Sequence, residues 1–353
     1  MFLKQVCYLS PAASKGGMLG CALVAVILTG LVENCRAPPG SASPVLLVHG
    51  GAGSIPPALV PAKLAGVKAA VRAGHSRLDQ AGPLKAVEAA IRTMEDDPAF
   101  NAGRGSKLNI FGQVEMDAAI MEGDGMRAGA VASVGGLRHP IAAARGVLEN
   151  TSHVLVVGGG AERLAARWGL QQADENWLVT DYSRQLLEEY LAQHNLTHLE
   201  PAARLDQAAA GGAGTVGAVG WVGGSLAAGT STGGVTGKLP GRVGDSPLLG
   251  QGVLADSRAA GVSCTGTGET FMRAGVARRV GYTVERGGSA QQAVEEALDW
   301  MEERVGGNGG VIAIDHEGQV GLDWNSDVMA WAWARDGWLH YGIYKDDDFV
   351  ERL

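Results

Sequence analysis

The sequence predicts an α+β fold, a layered sandwich of strands and helices. Three observations point to it. Strand-like runs lie on both sides of a small-residue segment ending at Thr215, and helical periodicity precedes and follows them. The 54 glycines sit among apolar runs with no Gly-x-y period. Glycine at roughly twice average usage without that period belongs to a globular chain with tight turns, not to a collagen or a disordered segment.

Residues 1–43 stand apart. Lys4 and Lys15 precede the uncharged apolar stretch Met18 to Val32, and a polar Pro/Ser-rich passage runs on to Pro44. Fifteen apolar residues are short for a spanning helix but suit the core of an export signal. The expectation is an exported, periplasmic or membrane-tethered protein if this leader is real, and a cytoplasmic one otherwise, with a single domain over 44–353. The cleavage signal is poor: Val32-Glu33-Asn34 before Cys35 is too bulky and polar, and Pro44 follows Ser41-Ala42-Ser43.

Val45 to Val48 reads as a buried strand and leads into His49-Gly50-Gly51-Ala52-Gly53. Two helices follow. The clearer opens at Gly82-Pro83, carries Leu84, Val87, Ala90, Ile91 and Met94 on one face, and ends before Pro98. Met94 to Gly105 is turn-rich, and Val114 to Ile120 is a strand. Val154 to Val157 is a strand running into Gly158-Gly159-Gly160, but Arg163 replaces the third glycine of a dinucleotide fingerprint. A helix around Leu186, Leu187, Tyr190 and Leu191 gives way to an Ala/Gly-rich linker over about 192–214, where exposed chain is open to cutting.

From Thr215 the pattern is β. Thr215 to Val222 and Ser225 to Thr232 flank Gly223-Gly224, which has hairpin-turn chemistry. One helix follows Glu269. Another starts at Ser289, where Gln292 gives capping-box spacing, and stops near Gly306. Val311 to Asp315 and Val320 to Trp324 make a final hairpin around His316-Glu317-Gly318.

Several chemistries are excluded. Net charge is −8 with no basic run, so no nucleic-acid partner is indicated. Cys264 is the lone cysteine after the leader and reads as a small core residue, with no disulfide framework or Cys/His metal spacing. Gly229 to Lys238 fails as a phosphate loop, because Thr232 stands at the first glycine and Leu239 follows the lysine.

The remaining candidate is Thr215. A threonine hydroxyl is a weak nucleophile and needs a base, yet there is no GxSxG elbow and none of the eight histidines stands out. The threonine's own α-amine, with an unperturbed pKa of about 7.7–8.0, serves as base if the residue is an N-terminus. That requires cleavage of the Gly214–Thr215 bond.

Five passages together give a specific resemblance. They are His49 to Gly53, Phe100-Asn101-Ala102-Gly103, Gly214-Thr215-Val216-Gly217-Ala218-Val219, Thr230-Ser231-Thr232-Gly233-Gly234 with Lys238 to Pro247 (KLPGRVGDSP), and Ser263-Cys264-Thr265-Gly266-Thr267-Gly268-Glu269. In this order and spacing they resemble the plant-type L-asparaginase/isoaspartyl peptidase family of N-terminal nucleophile (Ntn) hydrolases. The resemblance covers Val45 to the C-terminus.

The resemblance implies the four-layer αββα sandwich of Ntn-hydrolases, self-cleavage into 44–214 and 215–353, and a dimer of the resulting heterodimers. It implies that Thr215 attacks first its own preceding carbonyl and then a small-molecule or dipeptide side-chain amide. Thr232 would hydrogen-bond the Thr215 hydroxyl, and Thr265 and Gly266 would form the oxyanion hole. Arg242 would clamp the substrate α-carboxylate, Asp245 with the Gly268 carbonyl would hold the α-ammonium, and Asn101 would shape the nucleophile end. No catalytic cofactor is implied, only a structural sodium ion on main-chain carbonyls of Met94, Glu95, Asp97, Phe100, Ala102 and Arg104. The expected activity is hydrolysis of β-aspartyl dipeptides and, less well, L-asparagine.

Two departures bear on specificity. Gly237 stands where the family pattern has asparagine before the lysine, and Trp324, Trp331 and Trp333 either narrow the pocket or only pack. The rival within the scaffold is a glycosylasparaginase, less well matched at Leu239-Pro240 and Thr265 to Glu269. The rival outside enzymes is an exported binding protein that never matures.

Overall fold

The computed structural model describes residues 43–196 and 214–353. The expected leader, up to residue 42, and the linker over 197–213 lie outside the described residues.

Strand β1 (Val45–Gly53) opens the fold, and Val45 to Val48 are buried on both faces. Removing side chains of this size from water contributes ~1.5–3 kcal/mol each. Helix α1 (Val60–Glu95) bends at Gly82, just before Pro83, so the two expected helices are the arms of one kinked rod. β2 (Met116–Glu122), β3 (Ala128–Val134) and α2 (Pro140–Asn150) follow, then β4 (Leu155–Val157), α3 (Gly158–Arg167), α4 (Glu175–Leu178) and α5 (Asp181–Gln193).

β5 (Val216–Val222) and β6 (Ser225–Thr232) form the expected hairpin, with Gly223 and Gly224 both at positive φ. β7 (Val253–Ala255), β8 (Ala260–Gly266), α6 (Gly268–Ala274), α7 (Val276–Glu285) and α8 (Ala290–Val305) come next. Ser289 caps α8 by accepting the Gln292 N–H at 3.2 Å, and Gly306 ends it in the left-handed region. β9 (Gly309–Asp315) and β10 (Val320–Trp324) are the predicted hairpin.

That hairpin is not the last, which corrects the sequence expectation. β11 (Val328–Arg335), β12 (Trp338–Gly342) and β13 (Phe349–Arg352) follow. Asp336 and Gly337, at φ 54° and 75°, make the turn between β11 and β12. An Asp-Gly pair is a strong hairpin signal, here set among tryptophans that obscured it.

The strands form a nine-stranded sheet, β13-β12-β11-β1-β5-β6-β2-β3-β4, and a four-stranded sheet, β10-β9-β8-β7. In the larger sheet β1 runs antiparallel to both β5 and β11. Helices α1 and α2 pack on it through a cluster that includes Leu46, Val48, Val87, Ile91 and Val147. A second cluster joins Leu47 and Val219 to Val262 and Ile312 of the smaller sheet and to Val280 and Leu298 of α7 and α8. Among the described residues no helix is long and apolar enough to cross a membrane.

Candidate active site

The antiparallel register of β5 and β6 pairs Val216 with Ser231 and Gly217 with Thr230. One step further, Thr215 faces Thr232 across the ladder. Both are buried, and both line one pocket with Lys107, Gly214, Arg242, Asp245, Ser246, Gly266 and Gly268. The fold thus gathers residues from Lys107 to Gly268, far apart in the chain, around one pocket.

Thr215 Oγ1 lies 3.0 Å from Ser246 Oγ. The Thr232 hydroxyl accepts the Gly234 N–H, also at 3.0 Å. Ser246 was not singled out in the sequence; its signal is adjacency to Asp245 in the Gly-Asp-Ser-Pro run. Its carbonyl accepts a hydrogen bond from the Thr230 hydroxyl at 2.6 Å, which fixes the residue against β6.

Behind the nucleophile strand, Gly217 is required. A Cβ there would stand 1.9 Å from Ser263 Oγ and 2.4 Å from His49 Nε2. These two groups are hydrogen-bonded to each other at 2.8 Å. Burial pushes the His49 imidazole down to about 3, with the Thr215 backbone pulling the other way. His49 is therefore a neutral structural histidine beneath the site.

Gly214 borders the expected oxyanion hole. A Cβ on it would lie 3.3 Å from Thr265 Oγ1 and 3.9 Å from the Gly266 nitrogen. The Thr265 hydroxyl accepts the Ala52 N–H at 3.3 Å, which leaves its own proton to donate. Asn101 stands one layer back from the pocket. Its amide donates to the Gly234 carbonyl at 2.7 Å, its Oδ1 accepts Lys107 N–H at 2.8 Å, and its carbonyl accepts Gly233 N–H at 3.0 Å. It shapes the turn that follows Thr232.

Arg242 holds a protein carboxylate. Its Nε and Nη2 donate to Glu269 Oε1 and Oε2 at 2.9 and 2.8 Å. Burial acts to raise the Glu269 carboxyl, but the Arg242 hydrogen bonds outweigh it and hold the group below its ordinary value. With the Nε–Nη2 side taken, the Nη1–Nη2 end is the edge on which a second carboxylate can bind in bidentate fashion. A Cβ on Gly244 or Gly268 would stand 2.9 Å from Nη1 or Nη2, so bare glycines bracket the guanidinium. Asp245 is fully buried, and burial pushes its carboxyl up to about 7. Its Oδ2 has no hydrogen-bond partner among the described residues, as suits an acceptor for a ligand cation.

The Gly237 departure has a packing cause. Its φ is 71°, and a Cβ would fall 2.1 Å from the Tyr190 ring, which lies against the bare backbone. Trp324, Trp331 and Trp333 are not among the lining residues of the pocket; the first two are buried and Trp333 stacks on His340 at 4.0 Å. Cys264 is a buried free thiol in β8, as expected.

In the loop over 94–104, Arg104 N–H donates to the Glu95 carbonyl at 2.7 Å, and Phe100 N–H to the Asp97 carbonyl at 3.1 Å. A Cβ on Gly105 would stand 2.7 and 2.8 Å from the carbonyl oxygens of Pro98 and Phe100. The Met94, Glu95 and Asp97 carbonyls each accept a backbone N–H and keep a second lone pair, so any hard cation held here by main-chain oxygen would share them. No cluster of three or more His, Cys, Asp or Glu that could hold a metal occurs among the described residues.

Comparison with known proteins agrees with this geometry. The asparaginase family profile matches residues 42–343. A probable isoaspartyl peptidase/L-asparaginase of Drosophila pseudoobscura pseudoobscura is 43% identical over 85% of this chain and 96% of its own length. The human isoaspartyl peptidase/L-asparaginase is 40% identical over 88% and 99%, and the plant-type L-asparaginase of Pyrococcus abyssi 42% over 83% and 96%. A pocket of this composition, in a chain matched over most of its length, makes the protein a member of the asparaginase family.

Proposed function

We propose that the chain cuts itself between Gly214 and Thr215 and then hydrolyses β-aspartyl dipeptides, and L-asparagine less well, through an aspartyl ester on Thr215. The observation that carries this is the convergence of Thr215, Thr232, Arg242, Asp245, Gly266 and Gly268 on one pocket. The names of the relatives support the substrate class.

In the first event the Thr215 hydroxyl attacks the Gly214 carbonyl, the acyl group passes from nitrogen to oxygen, and water releases the 44–214 and 215–353 chains. The new α-amine then takes the hydroxyl proton, and Oγ1 attacks the side-chain carbonyl of the substrate. Charge developing on that carbonyl oxygen meets the Thr265 O–H and Gly266 N–H; loss of one such donor typically costs ~2.7–4 kcal/mol. The α-amine returns its proton to the departing amine. Water next cleaves the ester and frees aspartate. Through both steps Arg242 holds the α-carboxylate and Asp245 the α-ammonium.

The wider reading includes a four-layer αββα sandwich of the Ntn type, supported by α1 and α2 on one sheet and α7 and α8 on the other. It also includes a dimer of cleaved heterodimers, export directed by the Met18 to Val32 stretch, and a sodium ion held by the 94–104 carbonyls with a purely structural role. The test is direct. Purified protein should run as two fragments on a denaturing gel, the smaller beginning at Thr215, and should release aspartate from β-Asp-Leu. An intact, inactive chain overturns the proposal.

A further inference from the structure

Lys107 lines the catalytic pocket together with Thr215 and Arg242, and also lines a second cavity. That second cavity is walled by Ile55, Pro56, Leu59, Phe100, Tyr182 and Leu186. Lys107 is itself buried, and its backbone is fixed by the Asn101 Oδ1 bond and by packing on bare Gly233. A second lysine lines the apolar cavity, Lys63, whose ammonium donates to the Gly50 carbonyl at 2.9 Å and lies 4.6 Å from the Phe100 ring centre.

Two cations therefore share the catalytic pocket, and Arg242 already has a role for the aspartyl head group. A β-aspartyl dipeptide carries two carboxylates, one on each side of the bond that Thr215 attacks. L-Asparagine carries only one. We propose that Lys107 and the adjacent apolar cavity form the leaving-group subsite, Lys107 binding the C-terminal carboxylate of the departing amino acid and the cavity its apolar side chain. This rests on the hydrolase reading above. Burial, with a smaller push from Arg242, lowers the Lys107 ammonium to about 8, so it remains charged at neutral pH. An anion between the two cations relieves their repulsion.

Processed enzyme is assayed with β-Asp-Leu, its C-terminal amide, β-Asp-Gly and L-asparagine. The acid should exceed the amide in kcat/KM by about tenfold or more, as one charge-assisted contact provides. β-Asp-Leu should exceed β-Asp-Gly by a similar factor. The acid preference should collapse to near one in Lys107→Met and persist in Lys107→Arg. Equal rates on acid and amide by the wild type overturn the subsite without any variant, as does a Lys107→Met enzyme that keeps the preference. Equal rates on the Leu and Gly dipeptides overturn the cavity's part. If L-asparagine is hydrolysed without an acid preference, the subsite alone fails; if none of the four is turned over, the hydrolase reading fails and the subsite with it.

Discussion

The hydroxyl of Ser246 lies 3.0 Å from that of Thr215, and the Ser246 backbone is tied to β6 through Thr230. A hydrogen bond between the two hydroxyls limits the rotamers of Thr215 and directs its oxygen into the pocket. Ser246→Ala should slow self-cleavage and lower kcat by about tenfold, with KM nearly unchanged, the loss expected when one orienting hydrogen bond is removed. Ser246→Thr should restore most of it, because the hydroxyl is kept. Equal loss in both variants would assign the effect to packing.

Glu269 makes a different prediction because it acts through Arg242. Its carboxylate holds the Nε–Nη2 side at 2.9 and 2.8 Å and so fixes the plane in which the other edge faces the substrate. Glu269→Ala frees the guanidinium, and KM for β-Asp-Leu should rise by about tenfold while kcat falls less. If KM instead drops, Glu269 competes with substrate for the arginine and the positioning role is wrong.

Asp245 links pH to both binding and stability. Its folded pKa of about 7 lies above the ordinary aspartate value of about 3.9. The folded state therefore binds more protons than the unfolded state between those values, and stability falls as pH rises through that window. Asp245→Asn should melt higher than wild type at pH 8 and gain less at pH 5. In catalysis the carboxylate form is needed for the α-ammonium, and the Thr215 α-amine must also be neutral. The acid limb of kcat/KM should therefore approach a slope of two below pH 7. A slope of one in the wild type would mean that Asp245 ionises at its ordinary pH.

Much of this site was legible in sequence because its backbone motifs are local. Gly214-Thr215 marks the start of β5, the Gly223-Gly224 turn fixes the register with β6, and that register alone brings Thr232 opposite Thr215. What stayed hidden depends on approach between distant segments. Nothing in the order of residues says that Glu269 reaches Arg242 or that Ser246 turns toward Thr215. Nor does it say that Lys107 enters a pocket made mostly by residues more than a hundred positions later. Strand β11 was missed for another reason: its alternation of Ala and Trp is apolar up to Arg335, so the period-two signal has no polar phase.

Gly217 gives the strictest structural prediction. It lies on the nucleophile strand two residues after Thr215, and its missing side chain is the space in which His49 and Ser263 meet. A methyl group there would stand 1.9 Å from Ser263 Oγ, far inside any contact distance, and the Gly229 carbonyl at 3.0 Å closes the remaining side. Neither the buried histidine nor the strand can retreat, since His49 pairs with Gly217 across β1 and β5 and with Trp331 across β11. Gly217→Ala should lose more than ~3 kcal/mol of stability, beyond the range typical of single substitutions. Self-cleavage should fail with it, because Thr215 would be displaced from Ser246 and Gly266. Truncating the obstacle checks the cause: adding Ser263→Gly to Gly217→Ala should recover part of the loss in a denaturant titration. A double variant no more stable than the single one would place the strain elsewhere.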